Sequence, residues 1–151
     1  MKYERFEELP CWIEARRLSQ AVFSLIRGAE FRRDFSLRDQ LWRSAGSVMD
    51  NIAEGFDDGS TRELIRFLGY SQRSCSEVQS QLYRALDSSY ITASQFDEVY
   101  RLASECRKQI KGFRRYLRSF HRAVKSPGHA RGKVSQLNSE SLNPSIPELE
   151  S

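Results

Sequence analysis

The chain has 151 residues, a length that suits one domain because two separate cores would each be marginal at this size. Hydrophobic residues make up 39% of the chain and charged residues 29%, which is typical of a protein that folds and stays in solution. No apolar run approaches the ~20 residues needed to span a bilayer. Acidic residues, among them Glu7 and Glu8, stand where a signal peptide would have its apolar stretch. We therefore predict a cytoplasmic protein that has no membrane partner.

The net charge of +4 conceals a strong segregation of charge along the chain. The window from Arg107 to Lys133 contains ten Lys and Arg residues and no Asp or Glu. The residues before this window carry 14 bases and 17 acids, and those after it carry three acids and no base. All of the positive excess therefore lies in one window of the chain.

The three cysteines are an odd number, far apart in the sequence and without a C-x-x-C pair. A secreted disulfide framework usually has an even number at closer spacing. Cys11, Cys75 and Cys106 each fall in phase with an apolar helical stripe. This pattern favours reduced, buried thiols that act as small hydrophobic residues over a redox role.

The first helical segment is predicted to run from Pro10 to about Arg27, with proline at its first position and a glycine after its end. A loop over residues 29–35 follows. The second segment is predicted to begin at Ser36, whose hydroxyl can accept a free amide hydrogen, and to end at Gly55. The apolar stripes recur at steps of three and four: Cys11, Ala15, Leu18, Val22 and Leu25 in the first helix, and Leu37, Leu41, Ala45, Val48 and Ile52 in the second.

Capping boxes predict the starts of the third and fourth helices, at Ser60 with Glu63 and at Thr92 with Gln95. Their stripes average 3.5 residues per turn, which is typical of coiled-coil-like packing. The third helix has Leu64, Leu68, Ser71, Cys75, Val78, Leu82 and Ala85, and the fourth has Phe96, Val99, Ala103, Cys106, Ile110, Phe113, Leu117 and Phe120.

Four amphipathic helices with short loops predict an all-α fold, an up-and-down antiparallel four-helix bundle over residues 1–122. Beyond His121 the apolar pattern ends, and proline and glycine stand among polar residues. Too few large apolar side chains remain there to offset the entropy of ordering. Residues 123–151 are predicted to form a tail, basic and then acidic, that is disordered from Ser126 onward.

Residue types that support catalysis are scarce in this chain. Its two histidines, His121 and His129, lie at or beyond the end of the last helix, which argues against a di-iron site within the bundle and against a histidine base. There is no glycine-rich phosphate loop and no zinc-ligand spacing. We predict a protein that is not an enzyme, with no catalytic residue, no metal and no cofactor.

One segment of the second helix resembles a known sequence motif. Ser47 to Gly55 resembles S-[IV]-x-x-N-I-A-E-G, a signature of the four-helix bundle proteins encoded by 23S rRNA intervening sequences, which are similar to the accessory protein of diversity-generating retroelements. Gln40 to Ser47 is similar to that family's Q-x-x-R-x-A-x-S, and Arg62 to Leu68 to its E-F-x-R-F-L. Arg73 departs from a family glycine. The resemblance covers about residues 9–120.

This resemblance implies a four-helix up-and-down bundle, commonly assembled as a five-fold ring. It implies association with nucleic acid, RNA being the favoured target, and no catalytic activity.

Four polar residues beside the core stripes, Asn51, Glu54, Ser74 and Glu77, fit several roles. Asn51 and Glu54 lie one turn apart on the second helix, and Ser74 and Glu77 share a face of the third. An antiparallel pair of helices could join them in a buried hydrogen-bonded layer that fixes the helix register. We favour this structural polar layer over an intermolecular interface or a ligand site.

A second apolar stripe runs along the second helix. Trp42, Met49 and Phe56 recur every seven residues, and Phe67 and Tyr70 lie early on the third helix. A monomeric bundle needs one stripe per helix, so a second one either widens the core or forms an oligomer interface. We favour a homo-oligomer, and a pentamer where the family pattern holds.

The basic window predicts a surface on the fourth helix. Arg107, Lys111, Arg114, Arg118 and Arg122 follow one flank, with Arg115 beside them. We favour a phosphate-binding surface over a solvated face or a site for an acidic protein. The function predicted is that of a non-enzymatic, oligomeric protein that binds nucleic acid, RNA being favoured. The alternative is a protein-interaction scaffold that recruits a partner such as a reverse transcriptase.

Overall fold

The computed structural model describes residues 2–125, in which helices make up nearly the whole chain and no strand occurs. The four α-helices that the sequence predicts are present, and two short 3₁₀ helices that it does not predict accompany them. Within this part of the chain no helix is both long and apolar enough to cross a membrane. In chain order the elements are a 3₁₀ helix Phe6–Glu8, α1 Pro10–Ile26, a 3₁₀ helix Ala29–Arg33, α2 Phe35–Asp57, α3 Thr61–Asp87 and α4 Ala93–Lys125.

The four helices pack in a closed ring in which α1 contacts α2 and α4, and α3 contacts α2 and α4. Hydrogen bonds between α2 and α3 join Gln40 to Arg84 at one end and Val48 to Ser71 farther along, so the two helices are antiparallel. A hydrogen bond from Gln79 to Ser104 joins α3 to α4. The predicted up-and-down antiparallel four-helix bundle is confirmed.

Each helix turns its predicted apolar stripe into one shared core. Leu18, Leu41, Leu68 and Ile110, one residue from each helix, are fully buried in it. All three cysteines are buried and free, as predicted. Burial raises the pKa of the Cys11 thiol to about 12, so the thiol stays protonated and unreactive at neutral pH.

The predicted start of α4 is confirmed in both halves of its capping box. Thr92 Oγ1 accepts from the Gln95 amide at 3.1 Å, and Gln95 Oε1 accepts from the Thr92 amide at 2.9 Å. At α3 only one half forms. Ser60 Oγ accepts from the Glu63 amide at 3.4 Å, while the Glu63 carboxylate pairs with Arg66 at 2.6 Å.

Both predicted ends of α2 are wrong. The helix is capped by Asp34, not Ser36, because the Asp34 carboxylate accepts from the Leu37 amide at 3.0 Å and from the Tyr90 hydroxyl at 3.2 Å. The preceding segment, predicted as a loop, contains a 3₁₀ helix with Phe31 fully buried.

At its other end α2 continues through Gly55 to Asp57. Gly55 is buried against α3, where a Cβ atom would lie 2.6 Å from the Cβ of Phe67 and 3.2 Å from the Cα of Leu64. The turn uses Gly59 instead, whose φ of +75° lies in the region that glycine adopts readily.

The last helix is longer than predicted. α4 reaches Lys125, three residues past the predicted end of the bundle at residue 122. The first proline after the predicted end of the bundle is Pro127, and a proline disfavours helix at the residue before it. The tail predicted to be disordered lies, from residue 126 onward, outside the described residues.

Candidate nucleic-acid interface

The basic surface predicted on the last helix lies along the C-terminal half of α4. Between Arg107 and Lys125 this helix has eight Lys and Arg residues and no acid. With a rise of 1.5 Å per residue, they are distributed over roughly 27 Å of helix. Five of the six predicted binding residues have exposed side chains: Arg107, Lys111, Arg115, Arg118 and Arg122.

The sixth predicted residue, Arg114, is partly buried and makes hydrogen bonds within the bundle. Its side chain turns toward α3, where Nε donates to the carbonyl of Ile65 at 3.0 Å and Nη1 donates to Gln72 Oε1 at 3.2 Å. A Cβ atom on Gly69 would lie 2.8 Å from Arg114 Nη2, so the guanidinium occupies space left by that glycine. Arg114 joins two helices and has fewer donors left for a phosphate.

The surroundings of Arg114 are positive. Burial lowers the pKa of its guanidinium, and the charges of Arg118 and Arg73 lower it further. The effect leaves the side chain charged, because an arginine pKa starts far above neutrality. Like charges placed this close repel one another, and an anion that binds between them relieves the repulsion.

Arg73 is a residue that sequence reasoning missed. It is exposed on α3, close enough to Arg114 for their charges to interact, and so it extends the basic surface from α4 onto the neighbouring helix. Its guanidinium stands 4.9 Å from the centroid of the Tyr70 ring. The sequence did show that Arg73 stands where the family pattern has a glycine. Only the packing of α3 on α4 places Arg73 at this surface.

The five exposed binding residues predicted on α4 have no anionic partner within residues 2–125. The ion pairs there join Arg5 to Glu7, Arg17 to Glu14, Arg66 to Glu63 and Lys108 to Glu105. None includes any of the exposed binding residues predicted on α4. We name the following set of exposed side chains the basic flank: Arg107, Lys111, Arg115, Arg118 and Arg122 on α4 with Arg73 on α3.

Near its C-terminal end α4 exposes apolar side chains. Phe120, predicted in the core stripe, is 44% exposed, and Val124 is 59% exposed. The prediction for Phe120 is wrong because periodicity along one helix does not show how far the other helices extend beside it. Tyr116 is 38% exposed on the same side of α4.

A layer of polar side chains joins α2 to α3, but only part of the predicted set crosses between them. Ser74 Oγ donates to Ser47 Oγ at 3.0 Å, and Ser44 Oγ donates to Glu77 Oε2 at 3.4 Å. Ser71 Oγ donates to the carbonyl of Val48 at 2.7 Å. The side-chain contacts from α2 therefore come from Ser44 and Ser47, which were not in the predicted polar layer.

The two polar residues predicted on α2 do not reach α3. Asn51 donates from Nδ2 to the carbonyl and hydroxyl oxygens of Ser47, at 2.8 and 2.9 Å, within its own helix. Glu54 is exposed. Asn51 is joined to the polar layer through Ser47, whose hydroxyl also accepts from Ser74 of α3, whereas Glu54 lies at the surface.

The second apolar stripe is divided between the core and the surface. Met49 and Phe56 are partly buried and pack against the core of their own chain, and Phe67 packs at 5.5 Å, edge to face, on Tyr70. Trp42 is 45% exposed and lies 5.2 Å from the ring of Phe23, which is exposed to the same extent. Of the predicted interface, Trp42 is therefore the residue most open to a second molecule.

The described part of the chain has no group of three or more His, Cys, Asp or Glu side chains that could hold a metal ion. A hydrogen bond with the neighbouring Cys75, together with burial, raises the pKa of the Cys106 thiol. A thiol that stays protonated is a poor nucleophile and a poor metal ligand. What this molecule offers a ligand is charge and exposed aromatic surface.

Comparison with known proteins relates the chain to one family. The sequence model of the 23S rRNA-intervening sequence protein family matches residues 7–112. A crystal structure of a protein of unknown function from the S23 ribosomal protein family of Bacteroides thetaiotaomicron superimposes with a TM-score of 0.63 at 19% identity, over 68% of this chain and 96% of that one. At this identity the likeness extends to the fold alone. No curated protein sequence matches the chain.

Proposed function

Because the chain belongs to the 23S rRNA-intervening sequence protein family, we propose that it is a non-enzymatic protein that binds nucleic acid through the basic flank. One observation carries the proposal: five exposed cations lie along one helix with no acid between them, and Arg73 joins them from the next helix. RNA is the favoured target because the family's name connects it with an rRNA gene.

The physical basis is the release of counterions. A phosphate backbone holds condensed cations, and each lysine or arginine that replaces one frees it into solution. Residues of the basic flank have no carboxylate to give up before they meet a phosphate, so binding breaks no ion pair within residues 2–125. Such contacts position a nucleic acid without reading its sequence.

The first prediction tests the basic flank through the salt dependence of binding. Replacing Arg115 and Arg118 with glutamine removes two exposed cations and keeps a good helix former at each position. The slope of log affinity against log salt is expected to become shallower by ~1.4 on single-stranded RNA and ~1.8 on duplex DNA, at about 0.7 and 0.9 per contact. Fluorescence anisotropy between ~50 and ~300 mM salt, a range over which the Debye screening length falls from about 14 Å to about 6 Å, measures the slope.

A matched control is available on the loop between α1 and α2. Arg32 and Arg33 are exposed, and replacing both with glutamine changes the net charge by the same amount. This variant should keep the wild-type slope. If the wild-type protein binds neither RNA nor DNA at ~50 mM salt, where phosphate contacts are strong, the proposal is wrong.

A second candidate function, contact with a protein, is favoured by the aromatic pair of Phe23 and Trp42. Two large rings, each 45% exposed, form an apolar surface that contact with a protein would bury. We propose that this surface binds a second copy of the chain. The alternative is that it binds a different protein, for which this chain would be a scaffold. The two functions are compatible, because this pair belongs to α1 and α2 and the basic flank to α3 and α4.

A further inference from the structure

The C-terminal part of α4 has two chemically different sides. Residues three or four apart lie on the same side of a helix. Lys111, Arg118 and Arg122 follow this spacing on one side. Tyr116, Phe120 and Val124 follow it on the other side and are all exposed. Small residues, Gly112, Ser119 and Ala123, lie between the two sides and are exposed as well.

This arrangement matches the two parts of a nucleic-acid strand. Cations attract phosphates, and exposed aromatic rings stack on bases regardless of sequence. The small side chains between them leave room for a sugar backbone to cross the helix. A duplex offers only its phosphates to such a surface, because its base faces are stacked inside.

Resting on the proposed function, we propose that this end of α4 binds single-stranded nucleic acid, with phosphates on the basic flank and bases stacked on Tyr116 and Phe120. We name these two residues the stacking pair.

The spacing of the stacking pair explains the preference for a single strand. Its members are four residues apart, which is about 6 Å along the helix axis. Stacked bases in a duplex are only ~3.4 Å apart along one strand. Two neighbouring bases that lie on these two rings must therefore separate from each other, which a single strand permits at low cost and a duplex does not.

The second prediction separates stacking from charge. The variant Tyr116→Leu/Phe120→Leu keeps apolar side chains on a good helix former but removes both rings. Its affinity should fall about tenfold or more for single-stranded RNA, since one base–aromatic stack contributes roughly 5- to 150-fold. Affinity for a duplex of the same sequence, and for an abasic ribose-phosphate strand of the same length, should change less than ~2-fold, because these ligands use only the basic flank. Anisotropy titrations of the three ligands at one salt concentration measure the difference.

Phe35→Leu is the matched control. Phe35 is 60% exposed but lies at the start of α2, so its replacement should leave all three affinities unchanged. Far-ultraviolet circular dichroism checks that every variant remains helical.

Three outcomes overturn the stacking proposal. The first is an equal change for single strand and duplex. The second is a double variant that loses a wild-type oligomer in light scattering, since the rings would then be covered by a second copy. The third is lost binding to anionic phospholipid vesicles with no change on RNA. In each case the proposed function is still supported if the abasic strand binds with a steep salt slope. If none of the three ligands binds the wild-type protein, the proposed function itself is wrong.

Discussion

At the scale of single residues, two glycines of α2 sit in opposite environments. Gly55 is buried where α2 meets α3, and a methyl group there would overlap the side chain of Phe67 and crowd the backbone of Leu64. Gly46 lies in the middle of the same helix, and a methyl group there would meet nothing within 4 Å. Identical substitutions at the two positions therefore test packing against helix propensity.

The third prediction uses this pair. Gly55→Ala should destabilise the protein by ~1–3 kcal/mol, because the overlap forces the two helices apart. Gly46→Ala should stabilise it by ~0.5–1 kcal/mol, because alanine loses less backbone entropy in a helix. Urea unfolding of the three proteins measures the free energies. Equal effects of the two substitutions would contradict the close approach of α2 and α3.

Gly55 also illustrates what a sequence leaves undecided about one residue. Its place in the motif was recognised, but its role was predicted as the end of a helix. A glycine that ends a helix and a glycine at a close helix crossing look alike in a single sequence. Only the position of Phe67 on α3 distinguishes them.

At the scale of elements, the start of α2 depends on a cap that belongs to two connections. Asp34 accepts a hydrogen bond from the Leu37 amide and another from Tyr90, which follows α3. The carboxylate therefore holds both the helix start and the neighbouring connection in place. Ser36, the cap predicted from sequence, instead accepts from Gln40 at 3.2 Å on an exposed surface.

The fourth prediction compares these two residues. Asp34→Ala should cost ~1–2 kcal/mol of stability, because the helix amide and the Tyr90 hydroxyl both lose their acceptor. Ser36→Ala should change stability by less than ~0.5 kcal/mol, because it removes only an exposed contact. Thermal unfolding followed by circular dichroism measures both. A larger loss from Ser36→Ala would mean that the helix starts where the sequence suggested.

The elements themselves were predictable to different degrees. Apart from Phe120, the core stripes were predicted correctly, because a repeat of three and four residues defines one face of a helix whatever lies opposite. Helix ends were less predictable, since several polar residues such as Asp34 and Ser36 can act as the cap. The basic surface was predicted from spacing along α4, but the engagement of Arg114 and the contribution of Arg73 depend on where α3 lies, which one helix's spacing does not contain.

At the scale of the whole molecule, the second apolar stripe no longer forms one continuous surface. Met49 and Phe56 are partly buried against the core of their own chain. Within this stripe Trp42 is the exposed residue, and Phe23 lies beside it. An interface centred on a tryptophan and a phenylalanine is typical of protein contacts, in which a few aromatic residues contribute most of the binding energy.

The fifth prediction is that the wild-type protein self-associates and that Trp42→Glu dissociates it while circular dichroism remains helical. A charge buried in an interface without a partner is far more costly than one on a free surface. Arg43→Glu is the control, since it places the new charge on an exposed neighbouring residue and keeps the ring. Light scattering at micromolar concentration measures the mass, and a wild-type species of only 17.6 kDa would contradict the prediction.

The contact between α1 and α4 joins the first and last helices of the bundle, so it forms late in synthesis of the chain. A ribosome adds about 5–20 residues per second, so roughly 5–20 s pass between the synthesis of α1 and that of the matching part of α4. The pair α2 and α3 can meet far sooner after both are made, because a short turn joins them. During that interval the apolar stripe of α1 lacks its partner on one side. The nascent chain is therefore most open to aggregation and proteolysis before its last helix arrives, however stable the finished bundle is.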